Sequence, residues 1–346
     1  WGPITQHSII LMVGAVVVVF LHNVPYKWFQ VFPVFLYPIS LVLLAFVTLM
    51  GIITGDRVNG AARWMTFMGL QFQPSELAKM AVIIAVSFIL SKRQDEEGAN
   101  PKAFKYIMIL TGLVLLLIAP ENLSTAMLLF GVVFMMMFIG RVAAKKLLLL
   151  AGGLVLIVAL GVGTVVAIPA KTLHNTPGLH RLETWQNRIK GFFDKDEVPA
   201  AKFDIDKDAQ IAHARIAIAT SHVVGKGPGN SIQRDFLSQA FSDFIFAIVI
   251  EEMGLIGGIF VVFLYLCLLM RAGRIAQKCE RTFPAFLVMG IALLLVSQAI
   301  LNMMVAVGLF PVTGQPLPLV SKGGTSTLIN CAYIGMILSV SRYTAH

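Results

Sequence analysis

Nine apolar runs, each near the length needed to cross a bilayer, divide this chain. They cover residues 7–22, 31–53, 77–91, 104–119, 124–140, 145–168, 244–270, 283–310 and 325–341. About 20 apolar residues in a helix span the hydrocarbon. Backbone groups in lipid must find partners inside the protein, which restricts the spans to helices or a closed barrel. The runs therefore predict nine transmembrane helices, the third beginning a few residues before 77. Only 13% of the 346 residues are charged, about half the share in a soluble domain. The fold class is all-α, a polytopic transmembrane helical bundle read as a single domain over residues 1–346.

The net charge of +9 reflects topology better than nucleic-acid binding. Taking the first span as running inwards, the loops 23–30, 92–105, 141–146 and 271–282 and the C-terminal tail hold thirteen Lys and Arg. The short loops 54–76 and 311–324 on the opposite side hold three. Cytoplasmic loops carry the excess, so the C-terminus is expected inside and residues 169–242 outside, as one long extracytoplasmic loop. That segment concentrates Lys, Arg, Asp and most histidines, and it exceeds ordinary connection lengths. Within it, "AQIAHARIAIATSHVV" (209–224) has roughly helical spacing and "GKGPGNS" (225–231) breaks it. The latter lacks the GK[ST] ending and preceding strand of a phosphate-binding Walker loop. The three cysteines, Cys267, Cys279 and Cys331, show no pairing pattern, so neither a disulfide nor a thiolate metal site is expected.

Ionisable groups at membrane depth need a partner, a cavity or a function. "FSDFIFAIVIEEMG" (241–254) holds three of them. Asp243 stands at the outer end of its span, as a base or a helix cap. Glu251 and Glu252 lie deeper, Glu252 facing nearly opposite to Asp243, and at least one is expected to be a hydrogen-bonded or protonated core group. In "VNGAARWMTFMGLQFQPSELAKM" (58–80), Arg63 adjoins Trp64, Ser75 is a plausible N-cap, and Glu76 and Lys79 can pair on one helix face. The plain alternative for that pair is an interfacial ion pair. "FPVTGQPLPLVSKGG" (310–324) is rich in Pro and Gly and reads as an irregular re-entrant segment, tolerated at depth only against protein or a cavity. Lys322 within it would suit a phosphate.

Five stretches, in order, resemble the SEDS family (shape, elongation, division and sporulation), polytopic polymerases of peptidoglycan glycan strands. They are "NGAARW", "QPSELAK", "GPGNSIQRDFL", "SDFIFAIVIEEMGLIG" and "LPLVSKGGTS". "GNSIQ" resembles the cell-division branch (FtsW-like) more than the elongation branch (RodA-like). The resemblance implies a SEDS-type bundle whose first span is missing before Trp1. It makes Asp243 the catalytic residue and places the family's PSELxK acid and base on Glu76 and Lys79. Two departures stand out: "PENLST" (120–125) puts Asn122 where many relatives have Asp, and "SKGG" puts Lys322 where many have Tyr. The candidate substrate-binding residues are Arg63, Trp64, Glu76, Lys79, Asn122, Ser321 and Lys322.

The function so implied is polymerisation of lipid II at the outer face of the bacterial cytoplasmic (inner) membrane in cell division. Asp243 would take the proton of the acceptor 4-hydroxyl in an inverting transfer. The leaving lipid pyrophosphate calls for cations more than for an acid, with Arg63, Lys79 and Lys322 as candidates. A divalent cation, Mg or Mn, suits such chemistry, although no dedicated metal site is visible. Lipid II, a class B penicillin-binding protein (a transpeptidase) and other cell-division proteins are the implied partners, with no nucleic acid. The small residues Gly254, Gly257, Gly258, Gly290, Ala292 and Ala299 suggest docking of the transpeptidase span against 244–270 and 283–310, or packing of the chain's own bundle. A lipid II flippase and a non-catalytic scaffold are the rival readings.

Overall fold

The computed structural model describes residues 2–53, 65–67, 70–96, 98–167, 186, 209–237 and 241–344. In chain order the helices are α1 (Gly2–Asn23), α2 (Phe32–Ile53), α3 (Pro74–Lys92), α4 (Pro101–Ile118), α5 (Leu123–Ile139), α6 (Ala144–Ala167), α7 (Ala209–Ala219), α8 (Ile245–Lys278), α9 (Thr282–Ala306) and α10 (Gly324–Thr344). All except α7 coincide with the nine apolar runs. Seven are long and apolar enough to cross a membrane, and the apolar parts of α1 and α5 are shorter. The chain is a multi-pass, all-α membrane protein. The sheet among the described residues is confined to two short antiparallel pairs, Met65–Phe67 with Leu70–Phe72 and Gln94–Asp95 with Gly98–Ala99.

Two compact units form. The first comprises residues 1–153, 267–297 and 323–346, and the second residues 154–266 and 298–322. In the first unit α3 is the central helix, packed by α2, α4, α5 and α10. Its Ala78, Ala81, Val82, Ile83, Ile84, Val86 and Leu90 are fully buried. Starts follow local chemistry: Asn100 accepts from Lys102 N–H at 3.0 Å ahead of Pro101, the proline filling the first helical position. The α3 start differs from expectation. Its N-cap is Gln73, with Pro74 at the first position, and Ser75, expected to cap, is already inside the helix.

The second unit contains an interrupted helix where one continuous span was expected. Gly254 in α8 has φ 71° and ψ −172°, a conformation open mainly to glycine. The residue read as a small packing element is instead the break. Helix α9 also ends before its apolar run does, at Ala306. Gly308 takes φ 75°, its N–H donates to Val305 O at 3.0 Å, and Leu309 N–H donates to Met304 O at 2.8 Å. This left-handed Schellman stop was hidden by the apolar Leu309 and Phe310.

Small residues on α8 and α9 serve the chain itself. A Cβ on Gly290 would meet Met136 and Ile83, and one on Gly258 would meet Ile250 and Phe246. Ala292 and Ala299 are fully buried. Of the two expectations, packing against the chain's own side chains is what these four positions display. Most of the 169–242 loop lies outside the described residues. Its 209–224 stretch does contain a helix, α7, and residues 225–231 break from it.

Candidate active site

Asp243 sits in the turn ahead of α8, half-buried, with Ser242 Oγ 3.1 Å from its Oδ1. Three successive carbonyls around it are held. Phe241 O accepts from Lys322 N–H at 2.8 Å, Ser242 O accepts from Ser321 Oγ at 2.7 Å, and Asp243 O accepts from Asn302 Nδ2 at 2.9 Å. The "SKGG" segment and the end of α9 thus converge on the backbone that carries this carboxylate.

The Pro- and Gly-rich segment that supplies Ser321 is irregular, as expected, and its backbone is satisfied by side chains. Asn302 Nδ2 also donates to Gln315 O at 2.8 Å, Gln298 Nε2 donates to Pro316 O at 3.0 Å, and Tyr265 Oη donates to Pro318 O. Gln298 and Asn302 are four apart and share one face of α9. Buried backbone groups must be paired, so these three side chains are what allows an irregular segment here.

A second constellation surrounds Glu251, which is fully buried. Its carboxylate takes Lys226 Nζ at 2.6 Å, Ser231 Oγ at 2.5 Å, and the N–H groups of Ile232 at 3.2 Å and Gln233 at 3.3 Å. This is the hydrogen-bonded core carboxylate expected of the Glu251–Glu252 pair. The same segment mends the broken helix. Lys226 and Gly227 N–H donate to the Glu251 and Glu252 carbonyls at 3.0 and 2.8 Å, and Leu255 and Ile256 N–H reach His222 O and Val223 O at 3.2 and 3.4 Å. A Cβ on Gly254 would fall on the Val223 carbonyl, and one on Gly225 would fall on the Glu252 carbonyl. Both positions therefore require glycine.

In the first unit Glu76 and Lys79 pair at 2.8 Å with almost no exposure, 3% and 0% of their side chains. The pairing matches the i, i+3 spacing, but an exposed interfacial pair is excluded because α3 is the packed centre of its unit. Tyr333 of α10 is buried too, its hydroxyl without a partner among the described residues. Asn122 is the N-cap of α5, its Oδ1 accepting from Thr125 N–H at 3.2 Å. Asn122 and Ser75 line a cavity of about 20 Å³ together with Thr48 and Gln73, room for a single water.

The structure therefore brings Asp243, Ser321 and Lys322 together in one unit, and Glu76 with Lys79 in the other. The Lys322 side chain is exposed and Ser321 is buried. Arg63 and Trp64 lie outside the described residues. No three His, Cys, Asp or Glu side chains converge as a metal site among the described residues. Sequence reasoning missed Asn302, Gln298, Tyr265, Lys226 and Ser231. The two carboxamides inside an apolar run were the available signal, since a polar group at depth needs a reason.

Comparison with known proteins agrees with this architecture. The family model for cell cycle proteins of the FtsW, RodA and SpoVE type matches residues 3–346. A probable peptidoglycan glycosyltransferase FtsW of Trichlorobacter lovleyi is 33% identical over 338 residues, covering 97% of this chain and 82% of that protein. One from Geobacter sp. strain M18 is 35% identical, covering 91% and 79%. Among solved structures, a chain from a peptidoglycan synthase complex described as coordinating polymerization and crosslinking superposes with a TM-score of 0.75 at 26% identity, covering 99% of this chain and 90% of that one. The rod shape determining protein RodA of Thermus thermophilus shares the fold, with a TM-score of 0.66 at 24% identity and coverage of 99% and 88%. The chain belongs to the FtsW/RodA/SpoVE family of cell cycle proteins.

Proposed function

We propose that this chain is a peptidoglycan glycosyltransferase that polymerises lipid II at the outer face of the bacterial cytoplasmic membrane during cell division, with Asp243 as general base. Family membership and the names of its relatives support the reaction and the division role. The observation that carries the residue assignment is the clamped backbone of 241–243. It presents a half-exposed carboxylate at the head of a span, where a base for a lipid-borne substrate is needed.

In this mechanism the acceptor 4-hydroxyl oxygen attacks the donor anomeric carbon. The bond from that carbon to the pyrophosphate oxygen breaks, and the hydroxyl proton passes to Asp243. General-base help of this kind is worth about 10²–10⁴-fold. The pyrophosphate leaves as a polyanion stabilised by cations. Exposed Lys322 is our candidate near Asp243, with Arg63 and the Glu76–Lys79 pair as further candidates for substrate binding, together with Trp64 and Asn122. A role for Mg or Mn is proposed only from pyrophosphate chemistry. The described side chains do not form a dedicated site, and no step above runs through a cation.

The same reading puts the C-terminus in the cytoplasm and residues 169–242 outside. It pairs the chain with a class B penicillin-binding protein, in line with the peptidoglycan synthase complex it resembles, and with other cell-division proteins. The test is labelled lipid II given to the purified protein with its transpeptidase partner in detergent. Glycan chains from wild type and none from Asp243→Asn are expected. A wild-type protein that makes no glycan would point to a flippase or scaffold. An active Asp243→Asn would remove Asp243 as the base.

A further inference from the structure

We infer that Ser321 and Asn302 are positioning residues for the transferase reaction, acting through the backbone of Asp243. The inference rests on the reading of Asp243 as the base.

Ser321 came from the sequence as a candidate to touch substrate. The geometry assigns its hydroxyl elsewhere. Its one proton is given to Ser242 O at 2.7 Å, and the oxygen accepts from Leu317 N–H at 2.7 Å. The residue is 6% exposed, which leaves neither a free donor nor an open face for a ligand. Asn302 is 1% exposed. Its Nδ2 bridges the Asp243 and Gln315 carbonyls at 2.9 and 2.8 Å, so one amide group ties the turn before α8 to the segment after α9. The Lys322 N–H to Phe241 O bond at 2.8 Å extends the seam by one residue.

The physical consequence concerns the reacting carboxylate. Residues 241–244 form a turn just ahead of the helix, where helix ends fray. Fastening three consecutive carbonyls removes that freedom, leaving only the two side-chain torsions of Asp243 to set where its oxygens lie. A misplacement of about 1 Å in reacting geometry costs about 10²-fold in rate. The seam therefore acts on turnover, not on affinity. No contact between substrate and either residue is required.

The test uses the purified protein with its transpeptidase partner and labelled lipid II, reading kcat and KM separately. Ser321→Val and Ser321→Thr add the same bulk, and only the threonine keeps the hydroxyl. The expected result is kcat lowered about 10–100-fold in Ser321→Val and in Asn302→Leu, KM within about twofold because affinity is not what the seam controls, and most of kcat recovered in Ser321→Thr. Wild-type kcat in Ser321→Val, with Asp243→Asn inactive, would overturn the inference while leaving the base intact. A raised KM at unchanged kcat would also overturn it, by showing direct substrate contact. Comparable losses in Ser321→Val and Ser321→Thr would do the same, since the hydroxyl would then not be what matters. Activity in Asp243→Asn is the separate result that removes the base assignment itself.

Discussion

Lys226 reaches across 25 residues of chain to place its ammonium 2.6 Å from the Glu251 carboxylate. The contact fastens the "GKGPGNS" segment onto a membrane helix at a point where that helix is broken. Removing the lysine leaves a fully buried carboxylate with one hydroxyl and two backbone donors. Lys226→Met is expected to cost about 2–3 kcal/mol, and Glu251→Ala about 3–5 kcal/mol because it takes the shared acceptor from Lys226, Ser231 and two backbone donors at once. Thermal unfolding in detergent checks both. A smaller loss in Glu251→Ala than in Lys226→Met would contradict the account.

The Glu76–Lys79 pair gives a different pattern. An exposed pair would be worth at most about 1 kcal/mol, but this one is sealed inside the first unit. Lys79→Ala is expected to destabilise by about 3–5 kcal/mol, and Glu76→Leu/Lys79→Met to recover much of that, since a buried pair replaced by apolar groups is often neutral. If the pair also serves substrate, the stable double variant still polymerises lipid II poorly. Full activity in that variant would confine the pair to a structural role.

Glycine substitutions separate required from replaceable positions. Gly254→Ala and Gly225→Ala put a Cβ onto a backbone carbonyl at positive φ, and each should cost more than about 2 kcal/mol. Gly112→Ala in α4 and Gly131→Ala in α5 meet nothing within 4 Å and should stabilise by about 0.5–1 kcal/mol. Melting temperatures of the four variants test this order.

Cys279 lies between α8 and α9, where burial pushes its thiol up to about 11 from an ordinary value of 9. The thiolate is the reactive form, so at pH 8 alkylation should be about a hundredfold slower than at an ordinary thiol. A variant lacking Cys267 and Cys331 isolates the site. Its iodoacetamide rate should climb about tenfold per pH unit from 8 to 10. A rate that reaches half its maximum near pH 9 and levels off by about pH 10 would show an unshifted thiol.

Much of the architecture was legible because lipid leaves the chain few choices. Nine apolar runs became nine helices with ends displaced by only a few residues, except in α8, which runs on to Lys278, and α9, where Gly308 stops the helix inside its apolar run. Asp243 could be singled out because a carboxylate beside an apolar run is costly. What holds it could not be. Asn302 and Ser321 are 59 and 78 residues away in sequence, and hydrogen bonds to carbonyls impose no pattern on the residues that accept them. The Glu76–Lys79 pairing followed from helical spacing, but its burial depends on α2, α4, α5 and α10, which no window around residue 76 contains. Ser75 failed as a cap because Pro74 starts the helix two residues sooner than the hydroxyl suggested.

The mended break in α8 also sets an order of events at the ribosome. Synthesis runs from the N-terminus, so residues 222–227 are made before Leu255 and Ile256, whose N–H groups they will receive, and before the Glu251 and Glu252 carbonyls they will fill. A half-helix entering the bilayer with bare carbonyls at one end and bare amides at the other would be costly. Here the piece that completes it is already in existence when the broken span emerges, and insertion need not wait for any later part of the chain.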